Sequence, residues 1–248
     1  MCTLIVAWRV FEDAPVCIAA NRDEQFGRPA TPPAVRDGPP RVLAPRDEEA
    51  GGTWIGYNEH GLFVGVTNRW EAGEGDRSRG LLVNDALEEA TATDALARVE
   101  AELDAREYAP FHLLLADADD CILVANRGDE TGGGYRTDTF DPGVHVVVNV
   151  GTADDWFVPS ARPEIGKQQA ANAERLREEL QPRDGETAAD WTRRAGESLS
   201  DHDSGVCIHR DGFGTRSSSL IRLGDEQYFA FADGPPCENP YEPVEEMI

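Results

Sequence analysis

Helices in this chain arrive in pairs between blocks of strands, and that order constrains the fold more than any other feature. Apolar runs over 4–8 and 16–20, punctuated at Glu12-Asp13-Ala14-Pro15, read as a hairpin. Runs over 53–57 and 62–67 read as a second hairpin, turned at Asn58-Glu59-His60-Gly61. The intervening stretch from Pro29 to Pro45 carries six prolines and predicts an extended loop. Ser78 is placed to cap a helix running to Ala90, and Thr93 a second one to about residue 106, with Leu96, Val99 and Leu103 at helical spacing. Strands follow over 111–116, 121–126 and 144–150, then helices over 163–180 and 188–199, and strands over 205–209, 217–223 and 227–232. The Pro- and Glu-rich tail over 234–248 is expected to fray.

Single helices between successive strands would indicate a doubly wound parallel sheet; paired helices between strand blocks do not. The pattern predicts an α+β fold with antiparallel sheets stacked face to face and helix pairs on the outside. No linker or repeat divides the chain, so residues 1–248 read as a single domain. No apolar run approaches the ~18 residues of a membrane span. The segment after Met1 lacks the basic flank of a signal peptide. The chain is therefore expected to be cytoplasmic.

Charge adds a second constraint. The chain has 47 acidic and 23 basic residues, a net charge of −24, and Lys167 is its single lysine. Such a surface repels phosphate backbones, which argues against nucleic-acid binding. Acids spread along the chain, with arginine in place of lysine, predict a halophilic protein adapted to molar salt. There the Debye length falls to ~3 Å and self-repulsion is screened.

Five cysteines, Cys2, Cys17, Cys121, Cys207 and Cys237, are widely spaced and form no CxxC pair. Neither a structural zinc site nor a disulfide framework is expected. Cys17, Cys121 and Cys207 sit in apolar runs and read as core. The histidines show no paired spacing; His202, between Asp201 and Asp203, reads as a metal ligand or as part of an acidic surface loop.

Cys2 stands apart. Met is removed readily before a small residue, and removal would give Cys2 a free α-amine. That amine has an ordinary pKa of about 7.7–8.0, so one residue would carry both a nucleophile and its base. Such a thiol needs a cation, a group to orient the amine and donors for an oxyanion. Strand ends supply candidates. Asn21-Arg22-Asp23-Glu24 follows the strand that pairs with the first one, so Arg22 could favour a thiolate and Asp23 could hold the amine. Asn68 and Asn149 end apolar runs as amide donors. Arg216, in Gly214-Thr215-Arg216-Ser217, could hold a carboxylate. Each also has a structural reading: a surface ion pair, an amide pinning a loop, or a solvated face.

The motifs Met1-Cys2-Thr3, Ala20-Asn21-Arg22-Asp23-Glu24, Gly51-Gly52-Thr53-Trp54-Ile55-Gly56, Gly65-Val66-Thr67-Asn68-Arg69, His145-Val146-Val147-Val148-Asn149 and Gly214-Thr215-Arg216-Ser217 occur in order along nearly the whole chain. Together they resemble the NRDE family, also called the transport and Golgi organisation family. More distantly the pattern is similar to the N-terminal-nucleophile (Ntn) hydrolases of the choloylglycine hydrolase and penicillin V acylase type. The resemblance implies a four-layer αββα sandwich. It implies Cys2 as nucleophile and base, with Arg22, Asp23, Asn68, Asn149 and Arg216 around it, and Asn21, Glu24, Trp54 and Arg69 as substrate-binding positions. In the bile-salt hydrolases two residues separate the arginine from the aspartate; here they are adjacent. Strand alternation then turns one of them away from Cys2.

Two functions follow from the resemblance. One is a Cys2-dependent amidohydrolase or acyltransferase acting on a small linear amide through a thioester, without a cofactor. The other is a haem or acyl-CoA carrier on the same fold.

Overall fold

A computed structural model describes residues 2–248; the expected removal of Met1 lies outside the described residues. The chain forms two compact units. The first runs to Arg28 and resumes with Pro142–Val158 and Arg162–Met247; the second is Pro29–Asp141 with Pro159–Ala161. Because the chain leaves the first unit and returns to it, no linker between them shows in the sequence.

In the first unit, β1 (Thr3–Trp8), β2 (Val16–Gln25), β10 (Gly143–Val148), β11 (Gly151–Thr152), β12 (His209–Arg210), β13 (Phe213–Leu223), β14 (Tyr228–Ala232) and β15 (Glu242–Pro243) form one antiparallel sheet. Its main path runs β11-β10-β1-β2-β13-β14-β15. Helices α3 (Pro163–Glu179) and α4 (Ala188–Ser200) pack on it, α3 against β10 and α4 against β2 and β13. Residues in β1 and β2 are buried in near-continuous runs. Trp191 of α4 is fully buried and donates its indole N–H to the Leu180 carbonyl at 2.7 Å, as a buried indole requires. The tail returns to this sheet through β15, with Val244 N donating to Phe229 O and Tyr241 bonded to Ser218.

In the second unit, β3 (Ala30–Arg36), β4 (Val42–Asp47), β5 (Ile55–Asn58), β6 (Phe63–Asn68), β7 (Phe111–Ala116), β8 (Cys121–Asn126) and β9 (Tyr135–Thr139) form a seven-stranded antiparallel meander in chain order. Helices α1 (Arg79–Ala86) and α2 (Ala92–Ala105) cover it. Leu62, Val64, Leu82, Val99, Leu113 and Leu115 belong to one buried cluster between helices and sheet. Truncating any of these leucines to alanine would cost about 2–5 kcal/mol.

The paired-helix, antiparallel α+β reading holds, with several corrections. The proline stretch is a strand pair. Pro32 and Pro33 fall at a register shift in the edge strand β3, where missing N–H groups cost no ladder bonds. The polar edge strand β9 carries no apolar alternation and left no signal. The cap of α2 is Thr91, whose Oγ1 accepts from Asp94 N; Thr93 lies inside the helix. The expected strand over 205–209 is irregular up to His209, where β12 begins. Gly205 has φ +68°, and a Cβ there would meet Asn172 Nδ2 at 2.5 Å, so the backbone leaves the extended region.

The Ser78 cap and the turn at Asn58 follow the sequence reading, although the helix ends at Ala86 and not at Ala90. Asn58 Oδ1 accepts from the His60 and Leu62 amides, and Gly61 takes φ +82°. Among the described residues no helix is long and apolar enough to cross a membrane.

Much of the acidic surplus is exposed, as at Glu12, Asp13, Glu74, Asp76, Glu178, Asp184, Glu245 and Glu246. Screening this self-repulsion should raise the melting temperature between dilute buffer and molar NaCl. The shift should be about 2–4 °C for each kcal/mol of repulsion removed. A calorimetric melt that stays flat with salt would contradict the halophilic reading.

Candidate active site

Register alone assembles most of the site. β1 lies between β10 and β2, with Thr3 opposite both Val148 and Asn21. One step beyond those pairs, Cys2 is flanked by Asn149 on one side and Arg22 on the other. Asn149 occupies a two-residue turn between β10 and β11, closed where Val148 pairs with Gly151. Gly151 makes the turn possible: its φ is +133°, and a Cβ would meet Asp155 O at 2.3 Å.

Cys2 is partly exposed. Its backbone N–H donates to Asn149 Oδ1 at 3.1 Å, and its Sγ lies 3.7 Å from Asp23 O. Asn149, 2% exposed, also accepts from Gln169 Nε2 at 3.0 Å. Two donors therefore fix the orientation of the Asn149 amide. Gln169 was not anticipated. The available signal was a glutamine among Gly166, Ala170, Ala173 and Leu176 on the buried face of α3, because a buried amide requires partners.

Arg22 and Asp23 are both buried, yet they act differently. Asp23 meets the thiol through its backbone carbonyl, while its carboxylate accepts from Thr215 Oγ1 at 2.6 Å. Thr215 Oγ1 in turn accepts from Ile208 N. Arg22 lies 3.7 Å from Glu24. The ladder between β2 and β13 shifts register at Arg216, between the Asp23–Thr215 and Arg22–Ser217 pairs. A bulge there re-aims side chains beside a site. Arg216 Nε is buried without a hydrogen-bond partner among the described residues.

Burial pushes the Cys2 thiol up from its ordinary value; the charge of Asp23 adds to this, and that of Arg22 opposes it. The thiol thus needs a base to become nucleophilic. Burial also raises the Asp23 carboxyl, against the opposing effects of the Thr215 hydrogen bond and Arg210. A carboxyl that binds its proton more tightly folded than unfolded costs stability as pH rises. The cost begins at the ordinary value, grows to the raised folded value and is constant above it. Relative to the parent, Asp23→Asn should therefore gain melting temperature from acid to neutral pH. Parallel melting curves for the two chains would contradict this.

Asn21 donates to the Leu199 and Val206 carbonyls at 3.0 Å each, tying β2 to the end of α4 and the segment after it. Glu24 pairs with Arg22 and Arg28. Trp54, Asn68 and Arg69 belong to the second unit. Asn68 ends β6 and is exposed, and Trp54 accepts from Val66 N through its backbone. Arg69 is held by Glu71, by His112 Nε2 at 2.7 Å and by Thr131.

Comparison with solved structures gives the fold. An N-acylethanolamine-hydrolyzing acid amidase ortholog of Caenorhabditis elegans superposes with a TM-score of 0.55 at 15% identity, covering 88% of this chain and 92% of that one. A mutant of the conjugated bile acid hydrolase of Clostridium perfringens superposes with a TM-score of 0.52 at 11% identity, covering 100% of this chain and 97% of that one. The fold is therefore that of the Ntn hydrolases. The family is shown by sequence. The Transport and Golgi organisation 2 family model matches residues 1–234, and the chain belongs to that family. The human Transport and Golgi organization protein 2 homolog is 26% identical, with 87% of this chain and 84% of the human protein aligned.

Proposed function

We propose that this protein is a cysteine-dependent amidohydrolase or acyltransferase of small linear amides, active once Met1 is removed. The observation that carries the reading is the Cys2 backbone nitrogen held by Asn149 Oδ1, with the thiol of the same residue beside Asp23. In the processed chain that nitrogen is the α-amine, already oriented by an acceptor.

The α-amine takes the thiol proton, and the thiolate attacks the amide carbonyl to give a tetrahedral oxyanion. The Asn149 side-chain amide donates to the oxyanion. Collapse breaks the C–N bond. The ammonium returns its proton to the departing amine, and the acyl group remains on Cys2 as a thioester. Water, deprotonated by the same α-amine, then releases the carboxylic acid and restores the thiol; an acceptor amine in its place gives acyl transfer. Arg216 is the proposed clamp for a substrate carboxylate or phosphate, since its buried Nε lacks a partner among the described residues.

Hydroxylamine tests the reading by intercepting the acyl group. Incubating the processed chain with linear amides and hydroxylamine should yield acyl hydroxamate, with none from Cys2→Ala. Equal hydroxamate from both chains would sink the proposal. Retention of haem or acyl-CoA by a chain that forms no hydroxamate would favour the carrier reading.

A further inference from the structure

A second chemical cluster lies in the first unit, built by residues the active site does not use. His202 follows α4, Cys207 and His209 flank the turn into β12, and Cys237 lies in the turn after β14. Their four ligand atoms all lie within 4.8 Å of one another. Cys207 Sγ is 3.5 Å from Cys237 Sγ and 3.7 Å from His209 Nε2, and His209 Nε2 is 3.1 Å from Cys237 Sγ. The rings of His202 and His209 meet edge to face at 5.1 Å. All five cysteines are free.

We infer that His202, Cys207, His209 and Cys237 form a tetrahedral two-cysteine, two-histidine site for zinc. The geometry fits a closed structural site. With Zn–S of about 2.3 Å and Zn–N of about 2.0–2.1 Å, a regular tetrahedron has sulfur–sulfur edges of about 3.8 Å and sulfur–nitrogen edges of about 3.6 Å. The separations of 3.5, 3.7 and 3.1 Å among Cys207, His209 and Cys237 lie within about half an ångström of these values, and His202 completes the set within 4.8 Å. The sulfur–sulfur distance is far beyond the ~2.05 Å of a disulfide. Two thiolates with two imidazoles are a donor set that favours zinc over hard cations. The second imidazole nitrogen of His209, Nδ1, lies 3.9 Å from Glu238 Oε1, on the side away from the sulfurs and beyond hydrogen-bond distance.

The spacing hides the site from motif reading. Three ligands fall within eight residues, as His-x4-Cys-x-His, and the fourth comes from the far side of β13 and β14. Cys207 reads as core filling in the sequence because it sits in an apolar run, and it is buried, yet its sulfur faces two other donors. The metal would clip the turn to the sheet edge. That turn carries the Val206 carbonyl that holds Asn21 and the Ile208 amide that holds Thr215, the hydroxyl partner of Asp23. A structural ion would thus brace the back of the Cys2 site without touching substrate.

Metal analysis of the chain purified under reducing conditions without chelator should find about one zinc per molecule. Cobalt titrated into the stripped chain should give thiolate charge-transfer and tetrahedral d–d bands. Cys207→Ser and Cys237→Ser should lose the stoichiometric metal, and Cys2→Ala should keep it, so failure of this inference and failure of the catalytic reading are distinguishable. Chelation should expose Cys207 and Cys237 to alkylation. If either serine variant fails to fold, the cobalt spectrum of the parent still decides. No zinc or cobalt bound at micromolar metal by the reduced parent chain would overturn the site, as would stoichiometric metal retained in both serine variants.

Discussion

Cys2→Ala should lower turnover of the best linear amide by about a millionfold, the scale reached when a hydrolase loses its nucleophile. The substitution isolates chemistry from folding. Cys2 precedes β1, and its backbone bond to Asn149 survives in alanine. Only the weak thiol contact to Asp23 O is lost. Stability should change by no more than about 1 kcal/mol, so the melting temperature should barely move. A Cys2→Ala chain that keeps its turnover would remove the thioester route altogether.

The next largest effect should come from Asn149. Asn149→Leu removes the acceptor for the Cys2 nitrogen and any donor to the oxyanion, and should cost about 10²–10³ in kcat. Asn149→Asp divides the two roles. An aspartate still accepts from Cys2 N and Gln169 Nε2 but has no N–H to donate. Its negative charge beside the α-amine holds the ammonium form and raises the amine's pKa. The acylation profile of Asn149→Asp should therefore move to more alkaline pH, whereas Asn149→Leu should lose rate without that displacement. Coincident pH profiles for Asn149→Asp and the parent would place Asn149 outside the base's surroundings.

The sequence carried the placement of the strand-end residues better than it carried the sheet edges. Cys2, Asn149 and the 21–24 block sit at ends of strongly apolar strands, where pairing order leaves little freedom in placing them. β3 and β9 were not legible, because edge strands tolerate proline and polar residues that erase the period-two pattern. The adjacency of Arg22 and Asp23 pointed to a conflict with strand alternation. The bulge at Arg216, the backbone contact of Asp23 and the turn of its carboxylate toward Thr215 could not be read from spacing. Gln169 and the His202–Cys207–His209–Cys237 cluster were obscured for one physical reason. Each joins residues distant in sequence, so no local motif marks them.

The central claim is that residue 2 carries its own base, and intact-mass spectrometry after reaction with an acyl-type electrophile tests it most directly. The predicted result is one adduct, mapped to Cys2, on a chain that has lost Met1, with unprocessed chains left unmodified. An adduct formed equally on chains that retain Met1, or one mapped to another cysteine, would contradict it.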